Sequence, residues 1–391
     1  MKTKELVAAR VKSLPQYIFS EFNKKKLELQ KQGIDIIDLG IGAPDLPTPP
    51  FVLKTLFDEV QNPENHRYSP YQGIKEFREA VSQFYKTRYN VDLDPEKEVL
   101  MLIGSKEGIY HFIHTVIDQG DGVLLPNPGY PVYRIATQLA GGKIFDLPLT
   151  AENNFIPDLS TLSTEQVSQS KLMLLNFPAN PTAATVDSEF FAEAIHFAKN
   201  NNLIVANDAA YDLVTFQDYI APSLLQVPGA KDVAIEFGSL SKSFNMTGWR
   251  IGYAVGNSEL IQALARLKSN IDTAQFIPIQ KAASVALTGD FSTVQQNNRE
   301  FAARMELMYR ILVETGFELK KPRGTFYLWV KVPEGYSSLE FAGKLMEEAG
   351  IIVTPGNAFG SYGEGYFRIA LTVAQERLLE AGKRLKNLSF V

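Results

Sequence analysis

Residues 239–250 read SLSKSFNMTGWR, and the rest of the chain can be arranged around them. Lys242 follows a short strand-like run at 233–237. It stands among the hydroxyls of Ser239, Ser241 and Ser243 and is followed by Gly248 and Arg250. Small residues let backbone approach an anion, hydroxyls donate to it, and an arginine forks two hydrogen bonds onto it. The pattern predicts a phosphate cup with a lysine in it. Such an amine suits a ligand that carries both an aldehyde and a phosphate, and pyridoxal phosphate is the cofactor with both. Alone, an SxSK match also describes a loop with one solvated lysine, so the rest of the chain has to decide.

Composition narrows the possibilities. The 391 residues are 45% hydrophobic and 21% charged, the profile of a packed globule with room for a large domain and a smaller one. A net charge of −5 offers no general attraction to nucleic acid or anionic lipid, so small-molecule partners are expected and nucleic acid is not. The absence of cysteine excludes disulfides, thiolate metal sites and thiol nucleophiles, and is compatible with a reducing compartment. The stretch MKTKELVAARVKSLPQY lacks the continuous apolar core of a signal peptide, and no apolar run is long enough to span a bilayer. A cytoplasmic protein with no membrane partner is expected.

Toward the N-terminus from residue 239, apolar strand-like runs alternate with helical patterns, the signal for a parallel sheet with right-handed crossovers. The run 203–206 ends in NDAAY, which places Asp208 just past a strand's carboxyl end, where open α/β sheets bind ligands. A carboxylate there can keep a pyridine nitrogen protonated, and it can equally be a helix cap or a loop salt bridge. The run 171–176 opens onto FPANPTAA, in which prolines fix Asn180, and Asp187 or Ser188 caps a helix over 189–199. The run 99–103 leads through Gly104 into a helix start at which Ser105 and Lys106 would add a second phosphate wall. An ordinary capped helix has the same signature. Tyr130, between Gly129 and Pro131, offers a ring for stacking or a plain buried aromatic. Glu107, His111 and His114 share a helix face, but no His-Glu-x-x-His pattern or cysteine accompanies them, and no metal is expected.

Earlier still, a weak helical pattern over 22–31 stops at Gly33, and an apolar strand over 34–41 enters GIGAPDLPTPP. Gly40 and Gly42 begin a dinucleotide fingerprint, but Asp45 stands where its third glycine belongs and prolines bar the helix, so a nicotinamide site is not expected. From Gly73 onward Ile74, Phe77, Val81, Phe84 and Tyr85 recur at helical spacing, which exposes Lys75, Glu76, Arg78 and Glu79. Tyr68 precedes them in an aromatic turn. Beyond Arg250 come a strand IGYAV, helices over 258–268 and 298–314, and strands 324–330 and 350–356 flanking a helix over 338–348. The last strand, GEGYFRIAL, carries Arg368 between Phe367 and Ile369, so its guanidinium needs an anion, a structural salt bridge or an exit to solvent.

Asn180, Asp208, Lys242, Arg250 and Arg368, in this order and in these contexts, resemble the class I aminotransferases of the aspartate aminotransferase superfamily over nearly the whole chain. NFPANPTAA, NDAAY and residues 239–250 are most similar to the LL-diaminopimelate aminotransferase-like branch, with which the chain shares Ala183 where most of the superfamily has glycine. The resemblance implies a fold-type-I pyridoxal phosphate enzyme of the α/β class. Its large domain would hold a mostly parallel seven-stranded sheet and its smaller domain would be α+β. It implies an arm at 1–46 contributing to the small domain, a cofactor domain at 47–285 and a small domain at 286–391.

It further implies that Lys242 binds the cofactor covalently and moves a proton, that Asp208 meets the ring nitrogen, and that Tyr211 and Asn180 meet the ring hydroxyl. Tyr130 would stack on the ring, Ser105, Lys106, Ser239 and Arg250 would hold the phosphate, and Tyr68 would reach the phosphate of a second subunit in a homodimer. Gly42, Asn180 and Arg368 would bind the substrate. The implied reaction moves an amino group from an L-amino acid such as LL-diaminopimelate or aspartate to a 2-oxo acid such as 2-oxoglutarate. A lyase or decarboxylase on the same fold is the alternative. A regulator would need a DNA-binding domain ahead of residue 34, and a silent binder would lack Lys242 or Asp208. Tyr17, Asn270 and Asp272 are candidates for the side-chain pocket.

Overall fold

The computed structural model describes residues 6–14 and 18–388, with side chains of the helix Ile18–Lys31 described from residue 25 onward. Tyr17 lies outside the described residues. The strands in chain order are β1 (Ile37–Asp38), β2 (Val99–Leu102), β3 (Gly122–Asn127), β4 (Lys143–Pro148), β5 (Ser170–Leu175), β6 (Ile204–Asp208), β7 (Ala234–Ser239), β8 (Gly252–Gly256), β9 (Tyr327–Lys331), β10 (Ile351–Ile352), β11 (Thr354–Pro355) and β12 (Tyr366–Ala370).

Seven of these form one sheet in the order β2-β8-β7-β6-β5-β3-β4. All pairs are parallel except those of β8, which runs antiparallel to both β2 and β7. β2, β3, β6, β7 and β8 are buried at every position or nearly so, as strands covered on both faces must be. The direction of β8 matters for the site. Because it runs backwards, its amino end lies at the same sheet edge as the carboxyl ends of the others, so Arg250 arrives beside Ser239, Asp208 and Ser105.

One core packs on either side of this sheet, and a second gathers Ile37 and Leu39 with residues from Phe301 to Leu385. The second core carries the three-stranded antiparallel sheet β11-β12-β9 and the parallel pair β1–β10. The long helix Ser292–Glu314 starts against the first core at Val294 and enters the second at Phe301. It begins six residues before the expected start at 298.

Three local expectations are corrected. The strand expected over 34–41 is only Ile37–Asp38, because its partner β10 offers just two residues. Arg78 is buried, its guanidinium donating to the Pro95 carbonyl at 2.6 Å and paired with Glu96 at 3.0 Å; position 78 flanks the Ile74, Val81 and Tyr85 stripe, so it snorkels under the next loop. Asp187 occupies the N-cap position of the helix Ser188–Asn200 without a capping bond, its carboxylate instead facing Arg323 at 3.4 Å.

Candidate active site

At the carboxyl edge of the seven-stranded sheet a cavity of about 660 Å³ is lined by Gly42, Ser105, Lys106, Tyr130, Asn180, Asp208, Tyr211, Ser239, Lys242, Arg250 and Arg368. These residues come from the carboxyl ends of β2, β3, β5, β6 and β7, from the amino end of β8 and from the second core, and they span most of the sequence. Tyr68 is the exception. It is 88% exposed, on a turn away from the cavity.

Lys242 sits in the single helical turn Leu240–Ser243 that follows β7, and the Ser239 hydroxyl accepts from the Ser241 amide to hold that turn. The lysine Nζ donates to the Gly42 carbonyl at 2.6 Å. Burial, and after it the charges of Arg368 and Arg250, lower its pKa to about 8. At neutral pH that raises the neutral, nucleophilic fraction roughly three-hundredfold over an ordinary lysine.

Asp208, the last residue of β6, is buried, and its pKa is raised to about 6 by that burial, against the stabilising Tyr133 hydroxyl, the Ala210 amide and the Lys242 charge. Tyr133 donates to Oδ2 at 2.7 Å, whereas Oδ1 is buried with no hydrogen-bond partner. A buried carboxylate oxygen left bare is costly, so it marks a place built for a donor. Tyr133 was not singled out from sequence; it lies in the first turn of the helix Val132–Ala140, three residues after Tyr130.

The Asn180 turn is held from beneath. Asn176 Oδ1 accepts from the Asn180 amide at 2.9 Å while its Nδ2 donates to the Asp208 carbonyl at 2.7 Å. Asn207 accepts from the Phe177 amide and donates to Glu236 Oε2. Glu236 is fully buried and also accepts from Tyr85, Ser223 and the Leu224 amide. Most of these supports were not visible in one dimension, since apart from the local Asn176–Asn180 bond they join segments distant in the chain.

Arg368 is 4% exposed. Its partners are neutral oxygens, Asn180 Oδ1 at 2.6 Å, the Gly40 carbonyl at 2.7 Å and Thr354 Oγ1 at 3.4 Å, and its Nε has none. Tyr327 and Phe359 face the guanidinium at 4.2 and 4.9 Å from their ring centroids. Among the described residues no carboxylate pairs with it, which removes the structural salt bridge that the sequence left open. Tyr327, also unforeseen, shares a 2.8 Å hydrogen bond with the Tyr211 hydroxyl, and a Cβ on Gly42 would overlap its ring.

The helix Ser105–Val116 starts after Gly104, whose φ of +86° and close approach to the Arg250 guanidinium admit no side chain. Lys106 Nζ lies 5.7 Å from the Tyr130 ring centroid. The histidine pattern on this helix resolves otherwise than as a ligand set: His114 turns back to the Tyr110 carbonyl, and Glu107 and His111 meet Asp272 instead. The ammonium of fully buried Lys268 pairs with both Glu107 and Asp272, taking the cation's place. Asp272 and Asn270 do not line the cavity.

A family model of class I and II aminotransferases matches residues 34–385. The chain belongs to this family. LL-diaminopimelate aminotransferases from Moorella thermoacetica and Aquifex aeolicus are 50% and 51% identical to it, each over 97% of this chain and 98% of the relative. The aminotransferase superposes on substrate-bound BacF from Bacillus subtilis with a TM-score of 0.94 at 38% identity, covering 98% and 97% of the two chains. It matches a probable N-succinyldiaminopimelate aminotransferase from Thermus thermophilus with a TM-score of 0.90 at 36% identity, over 94% and 99%. It is a transaminase of small amino and keto acids, with pyridoxal phosphate as its cofactor. The cavity suits that group chemically: a bare buried carboxylate oxygen for a ring N–H, a deprotonatable lysine for an aldehyde, and hydroxyls with an arginine for a phosphate. Among the described residues no helix is long and apolar enough to cross a membrane.

Proposed function

We propose that this aminotransferase takes its amino group from LL-diaminopimelate and passes it to 2-oxoglutarate, in amino-acid biosynthesis. The observation that carries the donor is half-identity, end to end, to relatives of that name. The cavity supports a substrate with an α-carboxylate, because Arg368 is a buried cation that no carboxylate among the described residues meets.

In this reading pyridoxal phosphate, when bound, supplies an aldehyde for the amine and a ring that draws electrons from the substrate's Cα. Lys242 Nζ would hold the cofactor and, as a free amine beside the substrate, would take the Cα proton. Asp208 would accept from the ring nitrogen and keep it protonated. Asn180 and Tyr211 hydrogen-bond the ring hydroxyl, Tyr130 packs on the ring face, and Ser105, Lys106, Ser239 and Arg250 bind the phosphate. Gly42 backbone, Asn180 and Arg368 orient the substrate carboxylate. We assign the cofactor domain to 47–285 and the small domain to 286–391, with an arm at 1–46 contributing part of the latter.

We place Tyr68 against the phosphate of a second copy. Near it Tyr71 and Phe276 are also exposed, Phe276 packing edge-on against His66 of the same turn, apolar surface of the kind that subunits cover, and Gln275 ties this region to the Arg250 carbonyl. Sedimentation should give a dimer, and Tyr68→Ala should weaken cofactor binding with the dimer intact. A cytoplasmic setting agrees with the cysteine-free composition, and cell fractionation tests it.

The discriminating experiment mixes single amino acids with holoenzyme and follows loss of the lysine-bound cofactor absorbance. LL-diaminopimelate should react with the highest kcat/KM, and a preference for aspartate or an aromatic amino acid would overturn the donor assignment. Release of pyruvate or ammonia without an acceptor would point to a lyase.

Two further outcomes are expected. A lysine with pKa about 8 frees its amine above that pH, so cofactor capture by apoprotein should quicken about tenfold per pH unit below 8 and level off above it, as read by stopped-flow absorbance. Gly104→Ala should weaken cofactor affinity by about 10- to 100-fold, since its methyl displaces the Arg250 guanidinium. Gly120→Ala, at a similar φ of +94° but in open space, should leave that affinity unchanged.

A further inference from the structure

The turn that carries Tyr130 and the turn that carries Phe359 are more than 200 residues apart, yet they are fastened together at one buried side chain. Asn127, the last residue of β3, is 1% exposed. Its Nδ2 donates to Ser361 Oγ at 3.0 Å and its Oδ1 accepts from the Tyr362 amide at 3.2 Å. Two residues on, the Gly129 amide donates to the Phe359 carbonyl at 2.8 Å. Between these contacts lies Gly360, with φ of +131°, where a Cβ would overlap Asn127 Oδ1. The absence of a side chain there lets the amide come in.

The two turns form different walls of the same cavity. Tyr130 lines it from the seven-stranded sheet, and Phe359 lines it from the turn after β11, in a small cluster with Leu149, Phe155 and Trp329 and with its ring against the Arg368 guanidinium. Trp329 packs edge-on against the other side of Phe359, so the ring has little freedom except through its own backbone. Where that backbone sits is set by Asn127.

We propose that Asn127 is a positioning residue for substrate. Its amide clamps the Phe359 turn onto the Tyr130 turn, and so fixes the Arg368 guanidinium relative to the ring-stacking wall. This rests on reading Arg368 as the partner of the substrate carboxylate. The clamp touches neither Lys242 nor Asp208 nor the phosphate-side residues, so its loss acts on substrate and leaves the cofactor alone. A misplaced binding group raises KM first.

The test measures single-turnover kinetics of holoenzyme with LL-diaminopimelate. Asn127→Ala should raise KM about tenfold or more and change kcat less than KM, with cofactor affinity and visible absorbance as in the parent. Ser361→Ala removes only the outer partner of the clamp, leaves the buried side chain in place and should raise KM by a smaller factor. Gly360→Ala should raise KM in the parent, and should add less in an Asn127→Ala background, where its methyl meets no amide oxygen. A parent-like KM in Asn127→Ala, additive effects in the double variant, or equal losses of cofactor affinity and KM would each overturn the proposal. Arg368→Lys separates the underlying reading. If it raises KM while Asn127→Ala does not, the clamp is wrong and the carboxylate assignment stands. If it leaves KM unchanged, the carboxylate assignment is wrong and the clamp proposed on it falls too.

Discussion

Replacing Lys242 with alanine should lower kcat by about 10⁵-fold or more, roughly 7 kcal/mol of lost transition-state stabilisation. The variant should also lose the pH-sensitive visible absorbance that marks cofactor bound through a lysine. The size of the effect follows from two tasks resting on one atom. In the proposed reading Nζ is both the nucleophile toward the aldehyde and the base at Cα, so its removal deletes both functions together. The site is arranged for this double use. Burial, Arg368 and Arg250 push the amine's pKa to about 8, and the Gly42 carbonyl holds Nζ at 2.6 Å facing the cavity. Stopped-flow absorbance with LL-diaminopimelate and a coupled assay for product give the measurement. Turnover within a hundredfold of the parent, with the absorbance retained, would remove Lys242 from both roles.

Asp208→Asn should reduce kcat about 10³- to 10⁴-fold while leaving cofactor affinity within a few-fold, because the amide keeps the shape of the site but cannot hold a proton on the ring nitrogen. The same substitution carries a stability signature that does not depend on activity. In the apoprotein Asp208 has a folded pKa of about 6, against 3.8 for an ordinary exposed aspartate. A raised carboxyl pKa means that the folded state binds the proton more tightly. The penalty for ionising it is absent below pH 4 and complete above pH 6, at about 3 kcal/mol. Asparagine does not titrate there. The stability of the variant relative to parent apoprotein should therefore rise by about that amount between pH 4 and 7, read from urea midpoints at each pH. A difference flat in pH would show that Oδ1 is not the strained, waiting group that its burial and lack of a partner describe. Asp212 and Glu236, whose pKa values burial also raises, titrate in both proteins and cancel in the comparison.

The two expectations share a cause. Among the described residues Oδ1 of Asp208 and Nε of Arg368 are buried without partners, Lys242 is buried beside two arginines, and all three residues line one cavity. Features of this kind weaken a fold and are tolerated where a ligand later satisfies them.

Much of this was legible in one dimension. The alternation of buried runs with helical patterns predicted the parallel sheet, and chemistry-bearing residues at strand ends, Asp208, Asn180 and Ser105, fell where such sheets bind ligands, because strand length and turn composition are local properties. Lys242 with its hydroxyls and Arg250 was readable for the same reason. What the sequence alone left open was every question whose answer lies on another strand. It did not say that Arg78 would be buried, that Lys268 would take the cation's place between Glu107 and Asp272, or that Arg368 would find only neutral partners. Nor did it pick out Tyr133, Tyr327, Asn176 or Asn127, each ordinary in its own stretch of chain. Their importance comes from the antiparallel turn of β8, the stacking of two cores and the contact of turns more than 200 residues apart, and such long-range contacts leave no periodic trace in sequence. Local periodicity and turn chemistry thus determined the sheet and which polar residues stand at its carboxyl edge, while tertiary packing alone decided which of them would be buried, unpaired and gathered in one cavity.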